Sequence, residues 1–231
     1  MSDLIIWPPP EGVTTPKVPS KNAVFSVTAS TKIHAPASFI LEILLTTSTY
    51  PEWSTFIPKV TIESHPASTN EQTSDASTIS PDPVLKIGSI FTFYANMSTD
   101  APSKAKLYPT NLIVTDISTP AKQSTYIPAA TLTSEPTYTK DLGSVYRVAW
   151  TSHKSGILDV GPTAERFNEV IVLGEELCEV RTWECMGGVV AHAVKWMYRA
   201  TLDRKLQDWC DELKVYGELE WKKEGGKSGT Q

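Results

Sequence analysis

Glu184 is the residue best suited to acid–base chemistry. It lies in the stretch "TWECMGGVVAHAVKWMY" (182–198). The alternating run 177–186 sets Cys178, Val180, Thr182, Glu184 and Met186 against Glu179, Arg181, Trp183 and Cys185. Successive side chains of a strand point to opposite faces. The first set is the more apolar, so it is expected to face the interior and to carry Glu184 with it. A desolvated carboxyl has a raised pKa and is suited to give or take a proton. The other reading is a rim carboxylate in water, or one paired with an arginine. Arg166, near the start of the adjacent run 165–174, is the better partner; it would neutralise the glutamate or grip a polar ligand group. Arg147 alternates with Tyr146, Val148 and Trp150 and is expected to point outward. His192, just past Gly187-Gly188, is a second acid–base candidate. It stands one residue off the apolar stripe, however, and groups with Trp196, Arg199 and Asp203 on a flank.

Aromatic side chains are frequent on the predicted strands. A cavity lined by such groups with one or two polar residues suits a planar, oily ligand. The expected walls are Phe93, Tyr146, Trp150 and Val180 from strands, with Val190, Val194 and Met197 from the last helix. No pair of histidines, cysteines or carboxylates has metal-ligand spacing, and no G-x-S-x-G, P-loop or G-x-G-x-x-G occurs. No metal and no cofactor are expected. Gly187-Gly188 reads as a tight passage from strand to helix.

The elements that must position these residues follow from periodicity. "VFSVTASTKI" (24–33) alternates as a half-buried strand. In "HAPASFILEILL", Pro36 suits a first helical turn, and Phe39, Ile40, Ile43 and Leu44 share a face. Residues 49–58 read as a second short helix or turn. Strands are expected at 59–64, 88–98, 110–118, 143–153, 165–174 and 177–186, the last two forming a hairpin across Gly174-Glu175-Glu176. A long helix over 189–217 carries Ala191, Val194, Tyr198, Leu202, Leu206, Trp209, Leu213 and Tyr216 at spacings of three and four. Residues 65–84 and 119–141 read as long polar loops. Residues 1–22, rich in proline, form an extended arm that Trp7 would tack to the body. Residues 23–218 form the domain, and 219–231 a disordered tail.

The fold class is thus α+β: a curved antiparallel sheet of about seven strands around a long C-terminal helix, with two short helices after the first strand. One helix is about 10 Å wide, too narrow to fill a large curved sheet, so side chains, loops or a ligand must occupy the remainder.

The 231 residues are 40% apolar and 20% charged, with a net charge of −5, which fits one globular domain with decorations. A mildly acidic chain has no electrostatic reason to seek nucleic acid. No run approaches the length of a transmembrane segment. Cys178, Cys185 and Cys210 are odd in number, and the first two point to opposite faces of one strand. With an opening, "MSDLIIWPPPEG", that lacks a basic region before an apolar run, they imply a reducing, cytoplasmic location.

Three stretches resemble the helix-grip superfamily (SRPBCC), which groups START domains, Bet v 1-type proteins and polyketide cyclases/dehydrases. They are "VTASTKIHAPASFILEILLTTSTYPEWSTFIPKV" (27–60), "GSIFTF" (88–93) and "EVRTWECMGGVVAHAVKW" (179–196). The longer loops 65–84 and 119–141 resemble those of fungal-type members. The resemblance covers 24–217 and implies a cavity for a hydrophobic ligand between sheet and C-terminal helix. It implies no particular reaction. A binder or carrier of a polyketide-, sterol- or lipid-like molecule, a cyclase or dehydratase using Glu184 or His192, and a protein-interaction module with an exposed apolar patch all remain open.

Overall fold

A computed structural model describes residues 7–67, 82–98, 106–154 and 161–225. In chain order the elements are β1 (Ala23–Ile33), α1 (Ala37–Leu45), α2 (Tyr50–Trp53), β2 (Lys59–Ser64), β3 (Ile90–Asn96), β4 (Leu107–Ser118), α3 (Ala129–Ser134), β5 (Val145–Ser152), β6 (Thr163–Gly174), β7 (Leu177–Gly187) and α4 (Val189–Lys223). The strands form one antiparallel sheet in the order β1-β7-β6-β5-β4-β3-β2. Consecutive strands from β2 to β7 are neighbours, and β1 crosses to the far edge beside β7. This is the α+β helix-grip architecture expected from the sequence.

Local chemistry explains the joints. Pro36 caps α1, and Pro51 lies in the first turn of α2, where a missing N–H costs nothing. Gly188, the N-cap of α4, has φ 85°, a left-handed conformation that other residues adopt only with strain. Gly217, inside α4, permits a close approach to α1: a Cβ there would lie 2.6 Å from Ile40 Cδ1. α4 spans 35 residues, about 52 Å at the usual rise. It continues to Lys223 rather than ending at 217, so the expected tail is helical through that point. Lys222 and Lys223 lie in its last turn, where positive charge opposes the helix dipole. The remainder of the tail, 226–231, and most of the loop 65–84 lie outside the described residues.

The concave face of the sheet carries the larger core. Phe25, Val27, Phe91, Phe93, Val148 and Val180 meet α1 and the apolar stripe of α4, with Leu202, Leu206, Trp209 and Leu213 buried. The convex face is covered too, which the sequence reading did not anticipate. Val13 and Val18 of the N-terminal arm join Ile127, Leu132 and Tyr138 of the 119–144 segment over Phe167, Trp183 and Cys185. Backbone atoms hold this cover down: Trp183 Nε1 and Tyr138 Oη both donate to the Thr14 carbonyl at 3.0 Å. Trp7 packs edge-on to Trp183, with ring centroids 6.2 Å apart. Arg147 does point outward, as expected. It is nevertheless only 1% exposed, because this cover lies over it and it forms an ion pair with Glu169.

Candidate functional site

Between the concave face and the N-terminal half of α4 lies a cavity of about 370 Å³. Its apolar wall comes from Phe93 and Ala95 of β3, Met97 just after it, Leu112 of β4 and Trp150 of β5. Ala164 and Met186 add to it from β6 and β7. α4 closes one side with Val194, Tyr198 and Leu202, and Phe56 and Ile57 close another. Bulky rings pack the walls against one another: Phe91, Phe93 and Trp150 meet edge-on at 5.0 to 6.0 Å between centroids. The rim is polar, with Asn111, Ser152, His153 and Lys154 on the sheet side. Tyr108 and Tyr198 approach across it, centroids 6.4 Å apart.

Besides Lys154 at the rim, Arg166 and Glu184 border this apolar space. Arg166 of β6 and Glu184 of β7 are directly opposite in the strand register and both line the cavity. Strand alternation therefore places Glu184 on the concave side, as the sequence predicts. Arg166 is 4% exposed. Its Nε donates to Thr182 Oγ1 at 3.1 Å, and Thr182 in turn donates to Asn168 Oδ1 at 2.8 Å. The guanidinium carbon stands 4.4 Å from the Trp209 ring centroid and 5.9 Å from that of Trp150. Nη2 is shielded from solvent and has no hydrogen-bond partner among the described residues.

Glu184 does not supply one. Among the described residues no nitrogen–oxygen approach within 4.0 Å joins it to Arg166, and no protein group hydrogen-bonds its carboxyl. Its side chain is half-buried because the cavity reaches it, while protein packs around its other sides. Burial raises its pKa, and Arg166 pulls in the opposite direction. Burial likewise lowers the pKa of Arg166, opposed by Glu184, Cys210 and Tyr50. A guanidinium starts so high that it remains protonated near neutrality. The Cys210 thiol is pushed up to about 12 and the Tyr50 phenol is raised further, so neither provides a counter-charge.

Of the residues expected from sequence, the structure brings together Glu184, Arg166, Phe93, Trp150 and Val194 around the cavity. It does not bring the others. Val180 is sealed in the solid part of the core. Tyr146 packs against that core beyond Val148, at the end of β5 away from Trp150. Val190 is half-buried outside the cavity. Met197 is 52% exposed beside Trp196 at 86%, so it is not a wall residue. His192 is exposed on the outer side of α4, and its flank position puts it out of reach of the cavity.

The missed residues had usable signals. Ala95 and Met97 share the alternating face that holds Phe93, and Tyr198 and Leu202 belong to the helical stripe. His153 reads only as a strand end; its place at the rim comes from pairing, its backbone N–H donating to Asn111 O at 2.8 Å.

No protein-family model matches the chain. The chain is 23% identical over 206 residues to the oxopyrrolidines biosynthesis cluster protein O of Penicillium oxalicum, covering 89% of this chain and 93% of that protein. Among solved structures, a hypothetical protein from Helicobacter pylori superposes with a TM-score of 0.55 at 14% identity, over 84% of this chain and 89% of that one. The ZhuI aromatase/cyclase from Streptomyces sp. R1128 superposes with a TM-score of 0.54 at 10% identity, over 88% of this chain and 99% of that one. No helix among the described residues is long and apolar enough to cross a membrane. In architecture the chain has the helix-grip fold, a seven-stranded antiparallel sheet with a long C-terminal helix, and it shares that fold with these solved structures.

Proposed function

We propose that the chain binds a hydrophobic small molecule in the space between its sheet and α4, as a carrier or binding protein. The observation that carries this reading is the cavity itself: about 370 Å³, walled by apolar side chains and bordered by one arginine and one carboxyl. That volume lies toward the lower end of the range of about 300–1,000 Å³ for small-molecule sites, which favours a compact ring system over a long chain. Burial of apolar ligand surface stabilises the complex by about 25 cal/mol per Å², and Arg166 and Glu184 set the orientation.

A second reading, a cyclase or dehydratase, is favoured by one feature of the same site. Glu184 is a carboxyl of raised pKa that lines the cavity with no hydrogen bond from the described residues. Such a group is suited to move a proton on a substrate that the walls hold folded. The name of the Penicillium relative places that protein in a biosynthetic cluster, and the Streptomyces neighbour is an aromatase/cyclase. Both agree with this reading.

Tryptophan fluorescence tests the binding reading, since Trp150 lines the cavity and Trp209 stands behind Arg166. An aromatic ligand that fits should quench it saturably; no saturable quenching by any apolar ring compound up to its solubility would defeat the proposal. Glu184→Gln separates the two readings. A binder should keep its affinity within a few-fold, whereas an enzyme should lose turnover by about 10²–10⁴-fold with affinity retained.

A further inference from the structure

Resting on the binding reading, we infer that the ligand is a weak oxygen acid: an apolar ring system bearing an enol or phenol group, taken up with its oxyanion against Arg166.

The inference starts from the unbalanced charge. Arg166 is deeply buried, spends Nε on Thr182 and keeps Nη2 unpaired. The charged or titratable groups acting on it are Glu184 from β7, Cys210 from α4 and Tyr50 from α2. Cys210 and Tyr50 stay neutral. Glu184 makes no ion-pair contact and is itself driven toward the neutral form by burial. A buried cation without a contacting partner is costly. An oxyanion placed at the guanidinium removes that cost, whereas a neutral carbonyl accepts a hydrogen bond and leaves the charge uncompensated.

The walls choose among anions. A carboxylate or phosphate concentrates its charge and loses much hydration on entering an apolar space. An enolate or phenolate spreads its charge into the ring that the apolar walls already accept. It also enters as the neutral acid, releasing its proton to bulk water as the oxyanion settles on Arg166. Glu184, on the neighbouring strand, can donate a second hydrogen bond to such an oxygen or to an adjacent carbonyl when it carries a proton. The Trp209 and Trp150 rings beside the guanidinium hold it in place without competing for its hydrogens.

Umbelliferone is a suitable probe, because its absorbance separates phenol from phenolate. Its methyl ether cannot ionise and reports on the apolar cavity alone. The expected result is that bound umbelliferone ionises at a pH lower by at least about one unit, a tenfold preference for the anion. Arg166→Met should abolish that shift. Arg166→Lys, which keeps a cation, should retain part of it. The wild-type shift needs no variant, so the test stands even if Arg166→Met fails to fold. An unshifted ionisation with the methyl ether still bound would overturn the inference and spare the binding reading. Tighter binding of naphthoate than of umbelliferone would overturn it in favour of a carboxylate ligand. Failure of both umbelliferone and its ether to bind would remove the binding reading and this inference together.

Discussion

Arg147 and Arg166 stand on adjacent strands of one sheet, on opposite faces, at 1% and 4% exposure. Each faces a glutamate in direct register on the next strand: Arg147 opposite Glu169, Arg166 opposite Glu184. On the convex face the pair closes. Arg147 Nη2 and Nε reach one Glu169 oxygen at 2.7 and 3.1 Å, and Thr139 donates to the other from its hydroxyl at 2.7 Å and its backbone N–H at 3.0 Å. On the concave face the pair stays open, and an apolar cavity lies against both residues. The same residue types in the same register thus serve two ends. Where the cover of arm and 119–144 segment supplies partners, the charges fasten the fold. Where the curved sheet and α4 leave space, they are left for something else to satisfy.

The largest effect should come from breaking the closed pair. Arg147→Met leaves Glu169, at 0% exposure, without its counter-charge and should cost about 3–5 kcal/mol in urea unfolding. Arg166→Met, at nearly equal burial, should cost no more than about 1 kcal/mol, because Glu184 is already disposed to take up a proton. If the two variants lose equal stability, the contrast between the faces is wrong.

A smaller effect sharpens the contrast through pH. Asp116 is buried on the convex face, and among the described residues neither of its oxygens has a hydrogen-bond partner of good geometry. Burial raises its pKa, with Ser124 and Arg147 opposing. A raised carboxyl keeps its proton longer in the folded chain than in the unfolded one. Stability is therefore lost as pH rises from the ordinary carboxylate range through the raised value. Asp116→Asn should gain stability at neutral pH and little below the ordinary carboxylate range. Thermal unfolding across pH reads this directly. The smallest effect belongs to the outer side of α4: Met197→Ser and His192→Ala should change stability by less than about 0.5 kcal/mol and leave ligand quenching unaltered.

The concave face was legible in the sequence because it obeys period two. Alternation on 177–186 fixed the side of Glu184, and the hairpin across Gly174-Glu175-Glu176 put Arg166 on the neighbouring strand. The helix wall was only half legible. Val194 and Met197 are three residues apart, but the buried stripe runs through Val194, Tyr198 and Leu202, and one residue turns the side chain by about 100°. The convex cover was not legible. Residues 119–144 and the arm have no apolar period, and part of the fastening comes from side chains donating to a backbone oxygen, Tyr138 and Trp183 to the Thr14 carbonyl. One signal was present: Phe167 and Trp183 sit on the face opposite Arg166 and Glu184, and two large aromatics there need something to cover them.

The central claim is that the room between sheet and α4 is where a ligand binds. Ala164 lines that room, and Ala164→Phe should occlude much of it while leaving the Arg147–Glu169 pair on the opposite face untouched. Isothermal titration of umbelliferone methyl ether is expected to give one site per chain in the wild type and none in Ala164→Phe, with both proteins folded. Equal binding by the two would place the ligand elsewhere and contradict the account.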